Sequence, residues 1–108
     1  MQEEKVIYPL KYILLGNQNI QSLLPKAPTS LVASNETETS VDLDWNVTED
    51  ASGYNVYQDG EKVDTVTTNT YSVSGLITSS TYEFYVTAIN DKYGTESDPS
   101  DVVNVTTL

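Results

Sequence analysis

The chain has 108 residues and a formal net charge of −11, with five lysines, sixteen acidic side chains and no histidine, cysteine or arginine. This length allows one domain with one core. The absence of histidine and cysteine excludes Ser-His and Cys-His nucleophile pairs, thiolate or imidazole zinc sites and disulfides. The absence of arginine and the negative charge argue against a nucleic-acid partner, because phosphate binding draws on basic side chains.

Charge divides the chain into two parts. Residues 1–28 carry three lysines and two glutamates, net +1, whereas residues 29–108 carry two lysines and fourteen acids, net −12. We therefore predict an apolar N-terminal arm over residues 1–27 and an acidic domain over residues 28–108.

Short segments with alternating apolar and polar residues recur from Pro28 onward at roughly ten-residue spacing, which is typical of an all-β sandwich. Leu31 and Ala33 predict a first edge strand, which Pro28 can precede because it donates no ladder bond there. The segment 41–45 alternates valine, leucine and tryptophan with two aspartates. Its apolar face, ending at Trp45, is expected in the core.

The middle of the chain predicts a hairpin. Gly53–Tyr57 reads as a strand, and Asp59-Gly60 is a dipeptide that supplies positive φ in a two-residue turn back into Lys62–Val66. Tyr71, Val73 and Leu76 predict the strand that follows.

The last third predicts two strands separated by a loop. In the segment 82–88 we expect Tyr82, Phe84, Val86 and Ala88 to face inward, with Glu83, Tyr85 and Thr87 outward. A polar loop from Asn90 to Ser100 then precedes a strand over Val102–Thr107.

These residues, in this order, resemble a fibronectin type III domain across 81 positions. The shared pattern comprises Pro28-x-x-Leu31-x-Ala33, Val41-x-Leu43-x-Trp45, Gly53-Tyr54-x-Val56-Tyr57, and Gly75-Leu76 leading to Tyr82-x-Phe84-x-Val86-x-Ala88. The resemblance implies a seven-stranded antiparallel two-sheet sandwich with an extended N-terminal arm. It also implies Trp45 as a core anchor and Tyr82 as a corner tyrosine whose hydroxyl bonds upstream backbone near Leu76.

The arm is too apolar for a disordered leader. It does not match a signal peptide, because Glu3 and Glu4 occupy the region that should be basic, and Pro9 and Lys11 interrupt the apolar stretch. Its longest apolar run, Tyr12–Leu15, has four residues, whereas a membrane span needs about 20. We expect it to bind protein and not to insert into a membrane. Its contact residues are Val6, Ile7, Tyr8, Leu10, Tyr12, Ile13, Leu14 and Leu15.

Two roles for the arm stay open. Its apolar side chains either fold back over an edge of their own sandwich or dock on a separate subunit. We favour the separate subunit, because the sandwich is complete without the arm.

The chain has eight tyrosines, six of them in the predicted domain, which is more than a core requires. Tyr57, Tyr85 and Tyr93 are the candidates for a surface contact with a protein or glycan, since an exposed tyrosine offers a rigid amphipathic contact. For Tyr57 and Tyr85, cross-strand aromatic pairing is the simpler interpretation.

Acidic groups offer two further interpretations. The pairs Asp42 with Asp44 and Glu49 with Asp50 resemble acid and base partners of glycoside hydrolysis, but strand alternation and a solvated loop explain them. Acids crowd the last loop without the spacing of a calcium loop. They are Asp91, Glu96, Asp98 and Asp101. We predict no enzymatic activity, catalytic residue, metal or cofactor.

The resemblance implies a structural or binding module. Fibronectin type III domains of microbial proteins are usually spacers or adhesion modules in long secreted chains, whereas this chain starts at a methionine and lacks an export signal. We therefore expect an auxiliary decoration protein of a tailed-bacteriophage virion, assembled in the host cytoplasm and held by its arm to the capsid or another virion subunit. The alternative is an accessory module of a secreted, extracellular glycan-degrading enzyme or adhesin.

Overall fold

The computed structural model describes residues 24–108, which form eight β-strands and no helix. In this part of the chain no helix has the length and apolar character needed to cross a membrane. The strands are β1 (Val32–Ser34), β2 (Val41–Asp44), β3 (Gly53–Gln58), β4 (Glu61–Val66), β5 (Thr70–Val73), β6 (Thr81–Asn90), β7 (Thr95–Glu96) and β8 (Val103–Thr106).

Two antiparallel sheets form the sandwich, which confirms the predicted fold class. One sheet has the order β1-β2-β5, and the other has the order β4-β3-β6 with both β7 and β8 on the free edge of β6. β8 pairs with residues 81–84 of β6, and β7 pairs with Ile89 and Asn90. Two short strands, β7 and β8, therefore lie along an edge where the sequence predicted one strand, so the sandwich has eight strands and not seven. The predicted loop from Asn90 to Ser100 contains β7, which the sequence did not indicate.

Two serines bridge the gap between β7 and β8. The backbone amide of Ser97 donates to the carbonyl of Ala88 at 2.8 Å, and its hydroxyl oxygen accepts from the amide of Ala88 at 2.9 Å. Ser100 repeats this arrangement with Val86, at 2.8 and 3.0 Å. The buried amides of β6 are therefore satisfied where the strand ladder is interrupted.

The core lies between the sheets and contains the predicted inward side chains except Tyr82, which is partly buried against it. Its largest fully buried members come from both sheets, and Trp45 packs edge-on against Tyr54 with ring centroids 5.4 Å apart. The Trp45 indole nitrogen is buried without a hydrogen-bond partner among the described residues. The core residues are Leu31, Val41, Leu43, Trp45, Tyr54, Val56, Val73, Leu76, Phe84, Val86, Ala88 and Val105.

Two local turns have the geometry that the sequence predicts. The hydroxyl oxygen of Tyr82 accepts a hydrogen bond of 2.8 Å from the amide of Ile77, one residue after the buried Leu76. At the β3–β4 hairpin, Asp59 and Gly60 have φ values of 52° and 89°, as a two-residue turn of primed type requires. The predicted hairpin is therefore confirmed.

Candidate functional site

The outward side of the five-stranded sheet carries a group of side chains that we call the tyrosine face. Tyr57 of β3 lies opposite Lys62 of β4 on one side and Tyr85 of β6 on the other. Asn55 lies opposite Thr87 in the same way, and β7 brings Glu96 to this side of the sheet. The period of two residues along each strand places these side chains together. The tyrosine face comprises Asn55, Tyr57, Lys62, Tyr85, Thr87 and Glu96.

The two tyrosine rings stack on each other. Their centroids are 4.7 Å apart and their planes differ by 13°. Because neighbouring strands are about 4.8 Å apart, the stacking direction follows the direction between strands. The rings therefore stand upright on the sheet, as the cross-strand interpretation of Tyr57 and Tyr85 expects.

Glu96 is held by three donors from two strands. Its Oε2 atom accepts hydrogen bonds from Tyr57 Oη at 2.6 Å, Thr87 Oγ1 at 2.5 Å and Asn55 Nδ2 at 3.1 Å. The Oδ1 atom of Asn55 in turn accepts from Thr65 Oγ1 at 2.6 Å. Charge-assisted bonds of this kind are the stronger ones. The carboxylate is thus fixed over the sheet and connects β7 to β3 and β6.

These bonds change the acidity of both partners. Burial raises the pKa of the Glu96 carboxyl, but the bonds from its three donors, aided by the charge of Lys62, outweigh burial and hold that pKa below its ordinary value of 4.5. The bond to Glu96 raises the pKa of the Tyr57 hydroxyl above its ordinary value of 10.0, and burial adds to this effect. Glu96 is therefore an ionised acceptor and Tyr57 a neutral donor near neutral pH.

Tyr93 lies away from the stacked pair. It is an exposed residue of the turn between β6 and β7, with Lys92 Nζ 5.3 Å from its ring centroid. β6 carries the chain from Tyr85 to Asn90 before this turn, a rise of roughly 17 Å. The three candidate tyrosines therefore do not form one surface.

Asp42, one of the acids considered for catalysis, has partners that account for it structurally. Asp42 accepts hydrogen bonds from Asn35 Nδ2 at 2.9 Å and Ser72 Oγ at 2.8 Å. Both bonds hold the pKa of Asp42 below its ordinary value of 3.8, and the bond from Asn35 has the larger effect. Across residues 24–108, no group of three or more acidic side chains could hold a metal ion.

The sequence did not indicate the polar part of the tyrosine face. Asn55 is 6% exposed and Thr87 is 4% exposed although both lie on the outward side of the sheet. Alternation placed Thr87 outward, but nothing in the pattern showed that Glu96 covers it, because Glu96 belonged to a predicted loop. The arm residues from Val6 to Leu15 lie outside the described residues, so their partner contact stays a prediction.

The chain matches a family model over most of the described domain. The family described as "Fibronectin type III domain" matches residues 26–103. Among curated proteins, the poly(3-hydroxybutyrate) depolymerase of Ralstonia pickettii is 47% identical over 81 residues, covering 75% of this chain and 16% of the relative. Chitinase Chi52 of Paenibacillus xylanexedens is 42% identical over 86 residues, covering 77% and 16%. The chain thus spans about a sixth of these relatives.

Solved structures show the same fold. Chitinase ChiA74 from Bacillus thuringiensis superposes with a TM-score of 0.70 and 26% identity, covering 84% of this chain and 14% of that one. An Fn3-like protein from Clostridium thermocellum superposes with a TM-score of 0.69 and 25% identity, covering 78% and 94%.

These relatives contradict the expectation of a bacteriophage decoration protein, and that prediction is wrong. That hypothesis depended on the starting methionine and on the mismatch of the arm to a signal peptide, neither of which is a property of the folded domain. The matched relatives are chitinases and a depolymerase, which favours the alternative of an enzyme-associated module. Fold, residue pattern and family match agree, and the chain belongs to the fibronectin type III domain family.

Proposed function

We propose that this chain is a non-catalytic module of a larger extracellular enzyme that degrades a polymer. One observation carries the proposal: the relatives are a depolymerase and chitinases, and the matched part is only 16% of the length of the first two. A similar segment attached to enzymes for different polymers is what an accessory module would produce, because function resides in sites and not in the shared fold.

The acidic side chains support a non-catalytic role. A general acid that works near neutral pH needs a raised pKa. Asp42 and Glu96 have lowered pKa values instead, because hydrogen-bond donors stabilise their charged forms. Both carboxylates are held by neighbouring side chains within the sheets. They serve the fold of the module and leave catalysis to another part of the enzyme.

The polymers that appear in the names of the relatives support a location outside the cell. Chitin and poly(3-hydroxybutyrate) are too large to cross a membrane before they are cut, so an enzyme that acts on external material must meet it outside the cell. The module fits that setting, because it contains no cysteine that oxidation could alter.

Immunocapture from a culture of the source organism tests the proposal. An antibody against residues 24–108 is used to recover the native polypeptide from the medium and from the cells separately. We expect a polypeptide several times larger than 11.9 kDa, recovered from the medium, that hydrolyses chitin, a β-glucan or poly(3-hydroxybutyrate). Recovery of an 11.9 kDa chain from the cells alone, without hydrolytic activity, would contradict it.

A further inference from the structure

We propose that the tyrosine face binds a neutral polysaccharide chain, with a sugar ring against Tyr85 and sugar hydroxyls bonded to Glu96 and Lys62. This inference rests on the proposed function and deepens it, because it assigns a ligand to one surface of the module. The two can fail separately: the module can belong to an enzyme and still bind no polymer.

The Tyr85 ring lies at the step in the sheet edge and is partly exposed. One side of this ring stacks on Tyr57. On the other side, the pairing of β8 with β6 ends at Val103 opposite Phe84, and that of β7 begins at Ile89. Tyr85 therefore lies beside the interruption between β7 and β8. A partly exposed aromatic ring is suited to contact the apolar face of a pyranose.

Glu96 supplies a fixed acceptor bonded to Tyr57, the stacking partner of Tyr85. All three side-chain donors that hold it reach Oε2. A carboxylate accepts at about four lone-pair sites, so Oε1 keeps the capacity to accept sugar hydroxyls. Because the side chain is already immobilised, a ligand would not have to order it on binding.

Lys62 completes the set of groups that a hydroxyl-rich ligand needs. It lies opposite Tyr57 on β4, is exposed, and acts electrostatically on Glu96. Its ammonium group donates where the carboxylate accepts. The tyrosine face thus offers an aromatic surface, an acceptor and a donor across four adjacent strands.

Charge decides which polysaccharides fit. With a net charge of −11, the chain repels anionic polymers such as pectins or alginates. A cationic polymer such as chitosan would be attracted without using the tyrosine face. A neutral chain, such as chitin or a β-glucan, can bind only through specific contacts, and it is the occupant that we assign.

Sedimentation with insoluble polymers tests the assignment. The full chain is mixed with chitin, cellulose or chitosan beads at near-physiological salt, and the bound fraction is measured against polymer concentration. We expect binding to chitin or cellulose that Tyr85→Ala weakens by about tenfold or more and Glu96→Gln weakens to a smaller extent. Tyr93→Ala, which removes an exposed tyrosine distant from the face, is the matched control and should bind like the unmodified chain.

The outcomes separate the alternatives. If the chain sediments with chitosan alone, its binding is charge attraction and the assignment is wrong. If it sediments with none of the polymers, or if Tyr85→Ala binds as well as the unmodified chain, the tyrosine face only fixes β7. If Tyr85→Ala does not fold, the binding of Glu96→Gln and Lys62→Gln tests the assignment instead, because neither substitution removes a core contact.

Discussion

The hydroxyl oxygen of Tyr82 accepts a hydrogen bond of 2.8 Å from the backbone amide of Ile77. Tyr54 makes a bond of the same kind and length with the amide of Thr48, but there the bond is buried. Water can replace the lost acceptor at Ile77 and cannot do so at Thr48. The two tyrosines therefore make one type of bond in two environments.

Tyr82→Phe and Tyr54→Phe should differ in cost for this reason. We expect Tyr82→Phe to lower the free energy of unfolding by about 0.5–1.5 kcal/mol and Tyr54→Phe by about 1–3 kcal/mol. Urea denaturation measures both, with Tyr93→Phe as a control expected to change little. Equal losses of unfolding free energy in the two variants would show that burial of the backbone amide does not determine the size of the loss.

The serine pair predicts a second effect. Ser100→Ala removes the acceptor of the Val86 amide, and Ser97→Ala removes that of the Ala88 amide. Both serines are 7% exposed, so each variant should lose about 1–3 kcal/mol of unfolding free energy. Exposed Ser74→Ala is the control, expected within about 0.5 kcal/mol. Faster amide exchange at Val86 in Ser100→Ala alone would locate the effect, and unchanged exchange there would refute it.

The hairpin turn predicts a conformational cost at Gly60. Its φ of 89° is unfavourable for a residue with a Cβ atom, although the space around it is open. Gly60→Ala should therefore destabilise by about 1–2 kcal/mol. Gly60→Asn should cost less, because asparagine tolerates positive φ. Thermal or urea unfolding measures the difference, and an alanine variant as stable as the glycine form would show that the turn changes its backbone.

Glu96 predicts a pH dependence with a definite sign. Its folded-state pKa lies below its ordinary value of 4.5, so its stabilising contribution is complete above that value and is lost as the pH falls through the folded-state pKa. Glu96→Gln should therefore lower stability most at about pH 7, and this loss should shrink as the pH falls below 4.5.

Asp42 titrates in the same direction, so the wild-type chain loses stability in acid for more than one reason. The informative quantity is the difference in urea midpoint between the wild-type and Glu96→Gln chains at each pH. A difference in urea midpoint that stays constant between about pH 7 and about pH 3 would contradict the conclusion that Glu96 is stabilised as a hydrogen-bonded carboxylate.

Much of the fold was predictable because the core alternates. Val41, Leu43 and Trp45 lie inside as their period of two predicts, and Asp59-Gly60 forms the expected turn. The break between β7 and β8 was not predictable, because Ser97 and Ser100 replace ladder bonds with side-chain bonds. Such substitution depends on three-dimensional register, which local residue preference does not encode.

The tyrosine face shows the same limit. The outward direction of Tyr57 and Tyr85 followed from alternation. The burial of Thr87 did not, since it requires a carboxylate from another strand nine positions along the chain. The function was harder to predict than the structure, because the fold supports many roles. The virion hypothesis depended on features outside the domain.

Deleting the module from the larger enzyme that we propose tests the central claim most directly. The enzyme recovered from the medium is compared with a version lacking residues 24–108, using a short soluble substrate. We predict that kcat/KM on this substrate stays within about twofold, because the module supplies no group to the reaction. A loss of about a hundredfold or more in the folded, truncated enzyme would show that the module takes part in catalysis and would contradict the account.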